Sequence, residues 1–215
     1  MNRCCFLVFV FAAAWPVWAQ QSQVRSKTAS HRTASEAPEL GEIANGVYRD
    51  PSFGFTYQIP FGWVDRTDEM REASTDPSKS LVLLATFERP PAATGSTVNS
   101  AVVIAAESVS SYPGIKSAAQ YFGPLSELTK EKGLTVVNQP YEFPVDAKPI
   151  VRQDFMKRMG NVTMHQSTMA MLAKGYVLSF TIIGGGDDEV TGLIEGLKFG
   201  SVGKSGKNAS KAPGR

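Results

Sequence analysis

The chain has 215 residues, of which 42% are hydrophobic and 20% charged, and its formal net charge is +2. That apolar content suits an ordinary hydrophobic core, and the near-neutral charge lacks the strong basic excess that marks a nucleic-acid-binding domain. The only two cysteines, Cys4 and Cys5, sit at the extreme N-terminus, which excludes the disulfide-stapled growth factors and toxins.

Residues 1–19 carry one charge, Arg3, followed by an apolar run from Cys4 to Ala14 and by Val17, Trp18 and Ala19. A short apolar run ending in small residues reads as a secretory signal peptide, cleaved to leave Gln20 as the mature N-terminus. The run falls short of the roughly 20 residues needed to cross a bilayer. No integral span is expected after cleavage, and a secreted or periplasmic location follows. Both cysteines leave with the signal, so the mature chain is expected to have neither disulfide nor thiol chemistry.

Residues 20–45 are rich in Gln, Ser, Thr and Ala and read as a flexible leader, because so few large apolar side chains cannot offset the entropy of ordering. Residues 46–200 hold fourteen Lys and Arg against seventeen Asp and Glu, a net charge of −3. Residues 201–215 add Lys204, Lys207, Lys211 and Arg215 with no acid and read as a basic disordered tail.

Within 46–200, Val47 to Asp50 and Phe53 to Ile59 are short aromatic and β-branched runs split by Pro51 and Ser52 and closed by Pro60 and Gly62. That pattern predicts two strands joined by a tight turn. A charged passage from Asp65 to Ser80 predicts a loop with a helical turn. Strands are expected at Leu81 to Glu88 and Ala101 to Val109. From Ser117, apolar positions at Ala118, Tyr121, Phe122, Leu125 and Leu128 recur three and four apart, and Gly133 follows the last turn. This predicts an amphipathic helix, with Pro124 either kinking it or marking its start. Further strands are predicted at Leu134 to Phe143, Ile150 to Met159, Val162 to Ala173 and Tyr176 to Ile183. The closing helix is expected to carry Val190, Leu193, Ile194 and Leu197, with Asp187, Asp188 and Glu189 at its positive end. Hairpin-linked strands with a few helices make an α+β fold, an antiparallel sheet flanked by helices, in one domain.

The segment Tyr48, Phe53-Gly54-Phe55-Thr56-Tyr57 and Pro60-Phe61-Gly62-Trp63 resembles the opening of the PsbP-like proteins, a superfamily that includes the Mog proteins and exported bacterial proteins of uncertain role. The order of the later elements is similar over about 150 residues. The resemblance implies an α-β-α sandwich used for partner binding or scaffolding. Trp63 is expected to be structural within it.

Histidine is scarce: His31 lies in the leader, and His165 is the only other. No HExxH pair, catalytic His-Asp-Ser set or GxSxG elbow can be assembled. Gly184-Gly185-Gly186 before a helix suggests a phosphate cradle, yet three acids follow with no lysine, so an acidic helix cap is the better reading.

Five of the seven methionines, Met156, Met159, Met164, Met169 and Met171, fall around a turn at Gly160-Asn161. A two-residue turn pairs Met159 with Val162 and Met156 with His165, and cross-strand pairs share a face. One face then carries Val151, Phe155, Met159, Val162, Met164, Ala170 and Leu172, a core pattern. The other carries Ile150, Arg152, Met156, Arg158, His165, Met169 and Met171, of which Arg152, Met156, Arg158, His165 and Met169 form the candidate partner-binding face. Thioethers beside an imidazole suit Cu(I), but the two arginines repel a cation, so packing or partner contact is expected, with no metal and no cofactor. The expectation is a non-enzymatic envelope domain binding a protein or polymer partner. The alternative is a carboxylate-based hydrolase using Asp65, Asp68, Glu69 and Glu72.

Overall fold

The aromatic run around Phe55 folds back on the strand before it because Asp50 closes the turn. Its carboxylate accepts the Phe53 N–H at 2.8 Å and the Tyr48 hydroxyl at 3.1 Å, and Gly54 takes a φ of 71° that favours glycine. Burial raises the Asp50 carboxyl above its ordinary value, against the bonds it accepts.

The computed structural model describes residues 38–200, apart from 75, 77, 78 and 91–94. The signal peptide, most of the leader and the basic tail lie outside the described residues. In chain order the elements are β1 (Glu42–Ala44), β2 (Val47–Asp50), β3 (Phe55–Gln58), β4 (Val64–Asp65), α1 (Thr67–Glu72), β5 (Ser80–Phe87), β6 (Ala101–Ser108), α2 (Ala118–Glu131), β7 (Thr135–Val136), β8 (Tyr141–Val145), β9 (Lys148–Met159), β10 (Val162–Ala173), β11 (Tyr176–Gly184), α3 (Asp187–Ile194) and β12 (Leu197–Phe199).

The strands form two antiparallel sheets. The smaller runs β1-β2-β3-β12; the larger runs β4-β5-β6-β11-β10-β9-β7, with β8 pairing along the same outer edge of β9. The fold is therefore α+β with antiparallel pairing, as the hairpin pattern predicts. Three expectations are corrected. The last residues expected to be leader, Glu42–Ala44, form β1, because they find a partner edge in β2. Leu197 is not helical: α3 stops at Ile194, and Leu197–Phe199 pairs with Phe55–Tyr57 to close the small sheet. Of the two places open to Pro124, it lies inside α2, which runs from Ala118 as the periodicity predicts. The single strand expected from Leu134 to Phe143 is broken into β7 and β8 around Pro140, which has no N–H to give a ladder.

α2 begins where the Gln120 side chain reaches back to accept the Ser117 N–H at 3.2 Å, and ends at Gly133, whose φ is 79°. The large sheet is covered on both faces. On one side the small sheet and α3 bury Tyr48, Phe55 and Tyr57 with Val190 and Ile194 against Ile104, Leu178 and Phe180. On the other, Tyr121 and Phe122 of α2 pack on Ala170 and Val177.

The path into β1 depends on Gly41. A Cβ there would lie 2.4 Å from the Arg49 carbonyl oxygen and 2.4 Å from Cζ of Tyr48. Backbone cannot give way cheaply at that distance, so Gly41→Ala is expected to loosen β1 from β2 and cost about 1–3 kcal/mol. Chemical denaturation of the two chains side by side checks this.

Candidate functional site

The hairpin of β9 and β10 is the longest in the fold, twelve residues on each strand. Gly160 adopts a φ of 61° at its turn, and the register pairs Met159 with Val162, Met156 with His165, and Arg152 with Met169. These pairs place Arg152, Met156, His165 and Met169 on one face.

That face is covered progressively. At its inner end Ile150 and Met169 are fully buried in the main core beneath the small sheet. Met169 is thus core rather than partner surface, a correction to its expected place. The principal core lies on this face, while α2 covers the inner part of the face expected to be core, over Val151, Ala170 and Leu172 and, through Ser126, over Gln153; Phe155 on that face is also fully buried. Met159, beyond that cover, is exposed. Further out, Arg152, Met156 and His165 border a cavity of about 290 Å³, walled by Val137 and Asn138 on one side and by Asp187 and Val190 on the other. Arg158 lies past the cavity, exposed near the hairpin tip.

The break between β7 and β8 builds one wall. Asn138 substitutes for strand backbone: its amide donates to Asp154 Oδ2 at 2.6 Å, and its carbonyl oxygen accepts the Asp154 N–H at 3.1 Å. Asp154 Oδ1 accepts Nε of Arg152 at 2.8 Å, and the Tyr141 hydroxyl donates to Asp154 Oδ2 at 3.3 Å. The Arg152 guanidinium lies 4.9 Å from the centre of the Phe143 ring. Burial works to raise the Asp154 carboxyl, but the Asn138 and Arg152 bonds outweigh it and hold the group below its ordinary value. Across the cavity, His165 Nδ1 lies 2.7 Å from Asp187 Oδ1 at the start of α3, and the Asp187 side chain is 89% exposed.

Three of the five residues expected on this face, Arg152, Met156 and His165, are therefore brought together. Asn138 and Asp154 were not anticipated. The available signals were an acid inside a strand two residues after Arg152, and an Asn-Gln-Pro break in the neighbouring one.

The acids after Trp63 lie elsewhere; Glu72 is exposed at the end of α1, and the other three are held locally. Asp65 Oδ1 accepts the Thr67 N–H at 2.9 Å, Asp68 pairs with Arg71 at 2.8 Å, and Glu69 pairs with Arg66 at 3.3 Å. Arg71 then anchors α1 to β5 through the Val82 and Leu83 carbonyls. At the triple glycine, Glu189 accepts the Gly185 N–H at 2.8 Å and the Ser100 hydroxyl, so an acid of α3 itself occupies the glycine amide that a phosphate would need. A second, shallower concavity lies at the Pro60–Trp63 turn, where Phe61 is fully exposed and Trp63 packs in part against the main core.

Among the described residues no group of three or more His, Cys, Asp or Glu is placed to hold a metal ion, and no helix is long and apolar enough to cross a membrane. No family model and no curated protein matches the sequence. Among solved structures, the chain is similar to the cyanobacterial PsbP protein (CyanoP) of Synechocystis sp. PCC 6803, at 14% identity and a TM-score of 0.48 over 76% of this chain and 99% of that one. It is also similar to LpqN, involved in cell envelope biogenesis of Mycobacterium tuberculosis, at 13% identity and a TM-score of 0.34 over 66% and 76% of the two chains. A protein of unknown function from Pseudomonas aeruginosa, described as a putative regulator, is similar at 14% identity and a TM-score of 0.34 over 60% and 76%.

Proposed function

We propose that this chain is a non-enzymatic binding domain of the cell envelope, whose recognition face is the outer half of the β9–β10 hairpin with the start of α3. The observation that carries the reading is the convergence of Arg152, Met156 and His165 on one cavity whose two acids are each already held by a basic partner. Side chains fixed by such pairs hold their remaining polar atoms in set directions, which positions a ligand. The local bonds of Asp65, Asp68 and Glu69 support the same reading over a carboxylate-based hydrolase. The partner is an envelope protein or polymer, and no nucleic acid is involved.

The test places a photo-crosslinking residue at exposed Arg158, beside the cavity, or at exposed Glu127, on the outer side of α2. Partner adducts from the native envelope are expected at position 158 and not at position 127. Equal labelling from both, or none from either, overturns the reading. Export is tested separately. The intact mass of the protein recovered from the envelope is expected to begin at Gln20, and a species retaining residues 1–19 contradicts that.

A further inference from the structure

We propose that the cavity on the β9–β10 hairpin is a carboxylate-binding site, with Arg152 as the group that recognises the anion. The inference rests on reading this face as a recognition surface and names the chemistry it recognises.

Arg152 is built into place rather than left free. Its side chain is only 14% exposed, Nε is committed to Asp154, and the guanidinium packs against Phe143. Asp154 is in turn fixed by Asn138 and Tyr141, so it acts as a positioning residue for Arg152. These contacts use one of the five N–H groups. Among the described residues, neither Nη atom of Arg152 has a protein acceptor, while the residue lines the cavity. An oriented guanidinium with its terminal nitrogens unfilled is a fork that matches two oxygens held in one plane.

The surroundings select among anions. Asp154 and Asp187 both border the cavity. A phosphate, with its charge near −2, meets more repulsion there than a singly charged carboxylate does. Part of the remaining wall is apolar, formed by Val137, Phe155, Met156 and Val190 beside the polar Asn138, His165 and Gln166. The volume of about 290 Å³ takes a carboxylate on a short aliphatic body. Such a group occurs both on small organic acids and at the C-terminus of a protein chain.

The test is an amide-resolved NMR titration of the mature chain. Butyrate is expected to give saturable shifts at Asn138, Arg152, Asp154 and His165, and butyramide to bind at least about tenfold more weakly, since charge-assisted bonds are the ones lost. Arg152→Lys keeps the charge and removes the fork, so butyrate affinity is expected to fall about tenfold or more. Met156→Trp fills the cavity from its apolar side and is expected to abolish the shifts even if the Arg152 variant folds poorly. A short peptide ending in Val, with a free or an amidated C-terminus, separates the two sources of the carboxylate. Binding of the free form alone, tighter than butyrate, assigns a chain terminus; butyrate binding without peptide binding assigns a small acid. Equal binding of butyrate and butyramide, no binding of either, binding of inorganic phosphate as tight as butyrate, or an unaffected Met156→Trp chain overturns the proposal. Crosslinking from position 158 with no carboxylate response overturns this inference and leaves the partner-binding reading standing. Butyrate binding without crosslinks does the reverse.

Discussion

Replacing Phe55 by Ala is expected to lower the stability of the folded chain by about 3–5 kcal/mol and its melting temperature by roughly 6–20 °C. Phe55 is fully buried and sits at the joint of the two sheets. Its ring lies 5.8 Å from Tyr48, 5.4 Å from Phe180 and 6.1 Å from Phe199. Those neighbours come from β2, β11 and β12, so truncation opens a void bordered by both sheets, and rigid strands cannot collapse into it. Edge-to-face packing with Phe180 adds a directional part that a smaller aliphatic residue cannot replace. Calorimetry of the two chains decides it. A loss under about 1 kcal/mol would mean that the aromatic cluster does not hold the sheets together.

Replacing Asp154 by Ala is expected to cost about 2–4 kcal/mol, because it leaves Arg152 without its counter-charge and Asn138 without its partner in a mostly buried site. The effect has a pH signature. The folded-state carboxyl is held below its ordinary value, so its stabilising contribution is complete above the unfolded value of about 4 and fades as the pH falls towards the lower folded value. The stability gap between the wild-type chain and Asp154→Ala is therefore expected to narrow below about pH 4. Asp50 provides a control of opposite sign. Its folded value is raised, so its ionised form weighs against the fold at neutral pH and the burden lifts as the pH falls through that value. The wild-type chain is expected to gain on Asp50→Asn with acidification while its advantage over Asp154→Ala shrinks. Urea melts across pH 3–7 measure both, and a gap for Asp154→Ala that does not change with pH contradicts the assignment.

What the residues determine by themselves is local. The alternation on both sides of Gly160-Asn161 and the two-residue turn specify the hairpin register, since a slip of one position would turn every side chain to the opposite face. Ser117 and Gly133 bracket α2 because capping chemistry acts within a few residues. The scarcity of histidine is likewise visible without coordinates.

Tertiary structure decided what alternation alone leaves open. A period of two says that Met169 and Ala170 face opposite ways, but not which of them meets the principal core. That depended on the small sheet and α3 covering one face and α2 the other. Glu42–Ala44 became a strand only because β2 offered an edge, and Leu197–Phe199 because β3 offered its other one. The cavity itself needed Asn138 and Asp187 brought to Arg152 and His165 across sequence gaps of 14 to 35 residues. No local pattern encodes that meeting, because its energy comes from packing between elements far apart in the chain.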